Sequence, residues 1–188
     1  MRYLNIKLIF FKFIFLISFL SFGQSNKFSN FVYEDGSVIW QKVYETELHR
    51  DDVVKYFEDS GIFISNSLRV KDNTVSGETA IITPNYDGAG VKPGSVPIMF
   101  REGYKGFVLI ELKDTRYRVT MSRGVFVSNL SISIFNVTAE STDTNFDFVY
   151  NMRKEEWKNF FVKNGRIVNY SIEKSFEIIE NKSNTQDW

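Results

Sequence analysis

YKGFVLIELKDTRYRVTMSRGVF, residues 104–126, is the stretch that decides the fold. Strands 104–113 and 116–126 flank Asp114-Thr115, and apolar and polar side chains alternate on both sides of that turn, which is the period of a half-buried strand. Read as a two-residue turn, Asp114-Thr115 sets Leu112 opposite Tyr117, Ile110 opposite Val119 and Val108 opposite Met121. On the other face Glu111 meets Arg118, an opposite-charge cross-strand pair contributing roughly 0.2–1 kcal/mol. A slip of one residue would send every apolar partner to the wrong side, so the pattern specifies this register.

A second hairpin precedes it. Strands 62–71 and 74–82 flank Asp72-Asn73, two residues that tolerate the left-handed conformation. Its expected register pairs Val70 with Val75, Leu68 with Gly77 and Ile64 with Ile81, leaving Ser65, Ser67, Arg69, Lys71, Thr74, Ser76 and Glu78 on the other face. Earlier still, SVIWQKVYE (37–45) reads as a first strand, with Phe28 to Tyr33 pairing to it through Glu34-Asp35-Gly36; Asp-Gly suits a tight hairpin turn. Between them Arg50 to Ser60 reads as a helix. Val53, Val54 and Phe57 recur at helical spacing, Asp51 and Asp52 sit in the first turn, and Gly61 follows as a C-cap.

Downstream, Val127 to Val137 alternates as a further strand, with Asn129, Ser131 and Ser133 on its polar side. Tyr150 to Lys163 is expected to be helical, with Arg153, Trp157, Phe160 and Phe161 on one side and Asn164-Gly165 ending it. Ile167 to Glu180 follows as an amphipathic helix, its stripe made by Val168, Ile172, Phe176 and Ile179. Pro84 to Pro97 is a loop by composition. The predicted fold class is therefore α+β: a curved antiparallel sheet of about five strands with helices packed on one face, in β-α-β4-α order.

The N-terminus adds a location. Arg2, Lys7 and Lys12 accompany an apolar run from Leu8 to Leu20 that ends in Ser21-Phe22-Gly23, the pattern of a secretory signal peptide. The domain reading is a signal peptide at 1–23, one α+β domain at 24–182 and a frayed tail at 183–188. The run is shorter than the roughly 20 apolar residues a membrane span requires, so no stable span is expected after cleavage near Gly23, and the chain is expected to be exported to the periplasm or medium. The sequence contains no cysteine, which excludes disulfides and a lipid-modified cysteine. A chain starting at Gln24 carries 20 basic and 23 acidic residues. That mild acidity argues against nucleic acid as a partner, since nonspecific polyanion affinity comes from basic residues neutralising phosphates.

VIWQKVYETE, the short helix after it, the strand pair and ELKDTRYRV together resemble a family of exported proteins of Bacteroidetes-type bacteria, a domain of unknown function with a TATA-box-binding-protein-like fold. The resemblance covers roughly residues 33–180. The family's Lys-Asp-Gly-Arg-Tyr-Arg-like hairpin falls on Lys113, Asp114, Arg116, Tyr117 and Arg118, with Thr115 where glycine is common; Thr is β-branched and resists positive φ. The resemblance implies a fold and export, and brings no catalytic residue.

No constellation specifies a chemistry. His49 is the only histidine, too few for a usual zinc site, and its place at a helix start reads as capping or surface. Gly88 to Gly94 lacks the spacing of a phosphate loop and reads as a flexible surface loop. Glu140, Asp143 and Asp147 lack the pattern of a calcium loop. Neither metal nor cofactor is expected. What stands out is the outer sheet face. Hydroxyls from Ser65, Ser67, Ser76, Thr120, Ser122, Ser131 and Ser133 share it with Arg69 and Lys71, with Phe107 and Leu109, and with Lys113, Arg116 and Arg118 at one hairpin tip. Arg69, Lys71, Phe107, Leu109, Arg116 and Arg118 are the candidate ligand-binding residues, for an envelope protein, a peptide or an anionic glycan. The same pattern also fits an ordinary solvated face, with Phe107 and Leu109 covered by the 84–97 loop. The expected function is a non-catalytic exported binding or envelope-associated module. The alternative is a small hydrolase or lyase of the periplasm using carboxylates such as Glu78 and Glu111.

Overall fold

The computed structural model describes residues 27–128, 131–134, 137–140 and 142–179. The N-terminal export pattern and the 183–188 tail lie outside the described residues. An N-terminal ribbon, β1 (Lys27–Phe28) and β2 (Phe31–Glu34), leads into β3 (Ser37–Glu45). Helix α1 (Arg50–Asp59) follows, then β4 (Arg69–Lys71) and β5 (Thr74–Glu78). After a one-turn helix α2 (Tyr86–Ala89) come the long strands β6 (Tyr104–Lys113) and β7 (Arg116–Phe126). The chain then makes β8 (Ser131–Ile134), β9 (Val137–Glu140), β10 (Thr144–Asn145), β11 (Tyr150–Asn151) and β12 (Glu156–Trp157), and ends with α3 (Asn159–Asn164) and α4 (Arg166–Ser175).

The fold is α+β around an antiparallel sheet in the order β1-β2-β3-β7-β6-β5-β4, with β10 also paired to β7. That makes eight strands rather than about five. The N-terminal ribbon extends the free edge of β3. In addition, β7 runs past the end of its pairing with β3 at Met121, so β10 takes up Val125 and Phe126. The β6–β7 register is the one the alternation dictates, from Lys113↔Arg116 through Glu111↔Arg118 to Val108↔Met121. Neither Asp114 nor Thr115 has positive φ, so threonine's β-branch is not penalised at this turn. Asp35 and Gly36 both do, at 49° and 82°, as a two-residue hairpin turn between Glu34 and Ser37 requires.

Three expectations need correction. The β4–β5 hairpin keeps its register only near the tip, at Val70↔Val75. A turn at 65–67 uses up residues, and beyond it Phe63 bridges Thr79. Phe63 and Ile82 are therefore the buried residues, while Ile64 and Ile81 are exposed and do not face each other inside. The predicted strand over 127–137 is shorter, and it pairs with β9 in a separate two-stranded ribbon rather than joining the main sheet. The predicted helix over 150–163 starts only at Asn159. Tyr150 pairs with Trp157 across a tight hairpin whose turn carries Glu155 at positive φ, and the tyrosine stacks on Tyr33 at 4.1 Å. Aromatic packing on the N-terminal ribbon thus overrides the helical spacing.

Helices α1 and α4 lie on one face, against the inward row Trp40, Tyr44, Val108, Ile110, Tyr117, Val119 and Met121, all buried. Phe57 of α1 meets Tyr117 edge-on at 5.6 Å. Trp40, fully buried, donates its indole N–H to Asn169 Oδ1 of α4 at 3.0 Å. The same oxygen accepts the Asn30 N–H at 3.3 Å. Helix α4 stops at Ser175, short of the predicted Glu180, and leaves Ile179 exposed. Its end is fixed by phenols: Tyr44 donates to Glu173 O and Tyr117 to Phe176 O, each at 2.7 Å. The Tyr117 hydroxyl in turn accepts the Ile178 N–H at 3.1 Å. The free carbonyls of a helix C-terminus thereby find donors. Burial raises the pKa of Tyr44, reinforced by Tyr117 and Glu173 nearby, which keeps the phenol protonated and donating.

Candidate functional site

The face opposite the helices is a set of cross-strand rows. One runs Gln41–Thr120–Leu109–Ser76–Arg69; the next runs Val43–Arg118–Glu111–Thr74–Lys71. Lys113 and Arg116 close the β6–β7 end beside Glu45. All six candidate residues share this face: Arg69, Lys71 and Arg116 are exposed, and Phe107 and Leu109 are half-buried. Arg118 forms two guanidinium bonds to Glu111 at 2.7 Å. That fork, with Arg118's charge, holds the Glu111 carboxyl below the usual glutamate range. A depression of about 260 Å³ at this end is lined by Val43, Glu111, Lys113, Arg116 and Arg118.

The hydroxyls are less free than their pattern implies. Thr120 accepts from the Gln41 side chain at 3.0 Å, and Thr74 donates to Lys71 O at 2.7 Å. Ser65 and Ser67 lie in the turn rather than on a strand, and Ser67 is bonded to Ile64 O. Ser131 and Ser133 belong to the separate ribbon. Arg69 is turned back on the carbonyls of Asn66 and Leu68. By contrast, Lys71, Lys113 and Arg116 make no ion pair among the described residues.

The 84–97 segment does not cover Phe107 and Leu109, nor is it an open flexible loop. It packs on the helical side: the Asn85 N–H donates to Ser171 Oγ of α4 at 2.9 Å, and Ala89 and Val96 are buried. A Cβ on Gly88 would lie 2.3 Å from the Tyr170 ring, so any side chain there must displace that ring. His49 sits at the N-cap of α1 without a side-chain capping bond, and is exposed. Asp143 pairs with Lys105 at 2.6 Å, while Asp147 accepts the Val38 N–H at 2.6 Å. Both carboxylates therefore have structural partners. No group of three His or acidic side chains is placed to hold a metal among the described residues.

Arg123 also belongs to the outer face and is not among the residues the alternation selects. Its φ is 50° and its guanidinium lies 4.8 Å from the Phe107 ring centroid. A signal was present: Gly124 interrupts the strand pattern, and an isolated strand glycine marks a bulge. No helix among the described residues is long and apolar enough to cross a membrane. Compared with known proteins, the chain matches no family model, no curated protein and no solved structure.

Proposed function

We propose that this chain is an exported, non-catalytic binding module that engages an envelope-associated peptide or anionic glycan on the open face of its sheet. The observation that carries this reading is the group of cations Lys71, Lys113 and Arg116, which make no ion pair among the described residues, at one end of a face where Glu111 is already neutralised by Arg118. Charges left without partners on a rigid sheet are available to a ligand at little reorganisation cost. The Glu111–Arg118 fork also runs against carboxylate-dependent hydrolysis at this spot, because a general acid needs a raised pKa and Arg118 lowers that of Glu111. Export rests on the charged, apolar and small-residue pattern of the first 23 residues. The order β3-α1-β4-β5-β6-β7-α4, with the first strand beside the last, supports a TATA-box-binding-protein-like arrangement. It also supports kinship with the exported family that the Lys113 to Arg118 hairpin resembles. That kinship transfers no nucleic-acid function, since fold alone does not license one.

The test is recovery of partners from envelope extracts by the wild type and by the Lys113→Ala/Arg116→Ala double variant, followed by direct titration of each recovered partner. The expected result is a partner held by the wild type and lost by the variant. Equal recovery of every partner by both proteins removes the hairpin end of the face from consideration.

A further inference from the structure

The opposite end of this face is shaped by a β-bulge. Strands β6 and β7 change register between Lys105 and Phe107, so that Gly106 stands against both Arg123 and Gly124. Tyr117, Val119 and Met121 point into the core, and unbroken alternation would send Arg123 after them. With Arg123 at positive φ, the inward positions pass to Gly124 and Phe126 instead, and Arg123 is turned outward. Re-aiming a side chain is a recognised use of a bulge. The left-handed backbone is unfavourable for a residue with a Cβ.

The outward Arg123 lies over Phe107 and pairs with no acidic side chain among the described residues. A guanidinium that uses its face on a ring keeps its in-plane N–H groups for a carboxylate. Around it is a depression of about 310 Å³ whose walls include Ile64, Glu78, Lys105, Phe107 and Val125. This is the lower end of ligand-sized sites, enough for one sugar ring. Lys105 is already neutralised by Asp143 at 2.6 Å. Glu78 is exposed and without an ion pair among the described residues. The pocket therefore offers one place for an anion at Arg123, one acceptor at Glu78 and apolar flanks at Ile64 and Val125.

We infer that this bulge pocket binds the uronate unit of an acidic polysaccharide. The ring carboxylate meets Arg123, the hydroxyls donate to Glu78, and the ring's apolar face rests on Ile64 and Val125. A polyacidic peptide fits less well, because its further carboxylates would come up against Glu78 with no hydroxyl donors to offset them. The inference rests on the open-face reading above and gives it a ligand class.

The experiment is calorimetric titration of the folded protein with an oligogalacturonate, the neutral galactose oligomer of the same length, and an oligoglutamate peptide. The oligogalacturonate alone is expected to bind. Arg123→Gln should weaken it by about tenfold or more with an unchanged melting temperature, and Lys163→Ala, at an exposed position of α3, should leave it within about threefold. If Arg123→Gln unfolds the protein, Phe107→Leu is expected to weaken binding in the same direction. Wild-type affinity in Arg123→Gln, absence of oligogalacturonate binding, or preference for the peptide overturns the inference. Loss only in Lys113→Ala/Arg116→Ala moves the ligand to the hairpin end, which retains the face and discards the bulge pocket.

Discussion

Replacing Asn169 with leucine tests how the sheet is held to α4. Asn169 Oδ1 receives the indole N–H of Trp40 at 3.0 Å and the backbone N–H of Asn30 at 3.3 Å, and its amide donates to Glu173 Oε2 at 3.3 Å. Trp40 is fully buried, with Phe176 6.3 Å from it, so leucine leaves the indole donor with neither protein acceptor nor water. A stranded buried donor costs about 1–3 kcal/mol. Loss of the longer Asn30 bond adds about 0.5–1 kcal/mol. The expected destabilisation is about 1.5–4 kcal/mol, a fall in melting temperature of about 3–16 °C for a domain of this size. Urea unfolding followed by tryptophan fluorescence and by circular dichroism measures it. Pairing Asn169→Leu with Trp40→Phe isolates the contact, since the phenylalanine has no donor to strand. The double variant should be more stable than the sum of the single losses by about 1 kcal/mol or more. A single-variant loss below about 0.5 kcal/mol, or strict additivity, would refute the claim that this bond ties β3 to α4.

Gly124→Ala places a methyl 2.3 Å from the fully buried Phe146 ring. It should cost about 1–3 kcal/mol by overpacking, read by urea denaturation; Gly124 is not at positive φ, so the loss reports packing alone. Glu111→Gln breaks a pair whose side chains are 37% and 46% exposed, so the loss should stay within about 1 kcal/mol and shrink further in high salt. Glu111 and Asp143 both have lowered pKa values, from side-chain bonds to Arg118 and Lys105. Their stabilisation is therefore present above the ordinary carboxylate range and is lost as pH falls through their lowered values; acid titration of the melting temperature should show it, and Glu111→Gln should lose part of that dependence. At the other extreme, burial raises the pKa of Tyr44 and Tyr104 above the ordinary 10.0. Stability is then full below that value and declines above it, so the part of the tyrosinate absorbance that is missing from a Tyr44→Phe/Tyr104→Phe variant should rise together with unfolding rather than ahead of it.

Local pattern carried the long hairpin. Between 107 and 122 each inward residue has an apolar partner, and one register satisfies all of them; beyond Gly106 the pairing shifts by one residue. The shorter hairpin was legible only as far as its turn controls it, from Arg69 to Ser76. Beyond that, the 65–67 turn shifts the phase, and nothing in a period-two pattern announces residues that drop out of it. Trp157, Phe160 and Phe161 fit both a helix face and a hairpin followed by a helix. What decides is the distant ring cluster with Phe28, Phe31 and Tyr33, which no window of sequence contains. The outer-face residues were legible because strand alternation alone assigns them. Arg123 was not, because period-two alternation sends it inward, and only the glycines at 106 and 124 hint at the bulge that turns it out.

The sheet closes by joining its early strand β3 to its late strand β7: Trp40 has no ladder partner on that side until Met121 is available. A polypeptide delivered N-terminus first would therefore stay unfinished until the long hairpin emerges, since nonlocal pairing must wait for the intervening chain. The domain's globular state is thus a late product of its own synthesis, available only once most of the chain has been made.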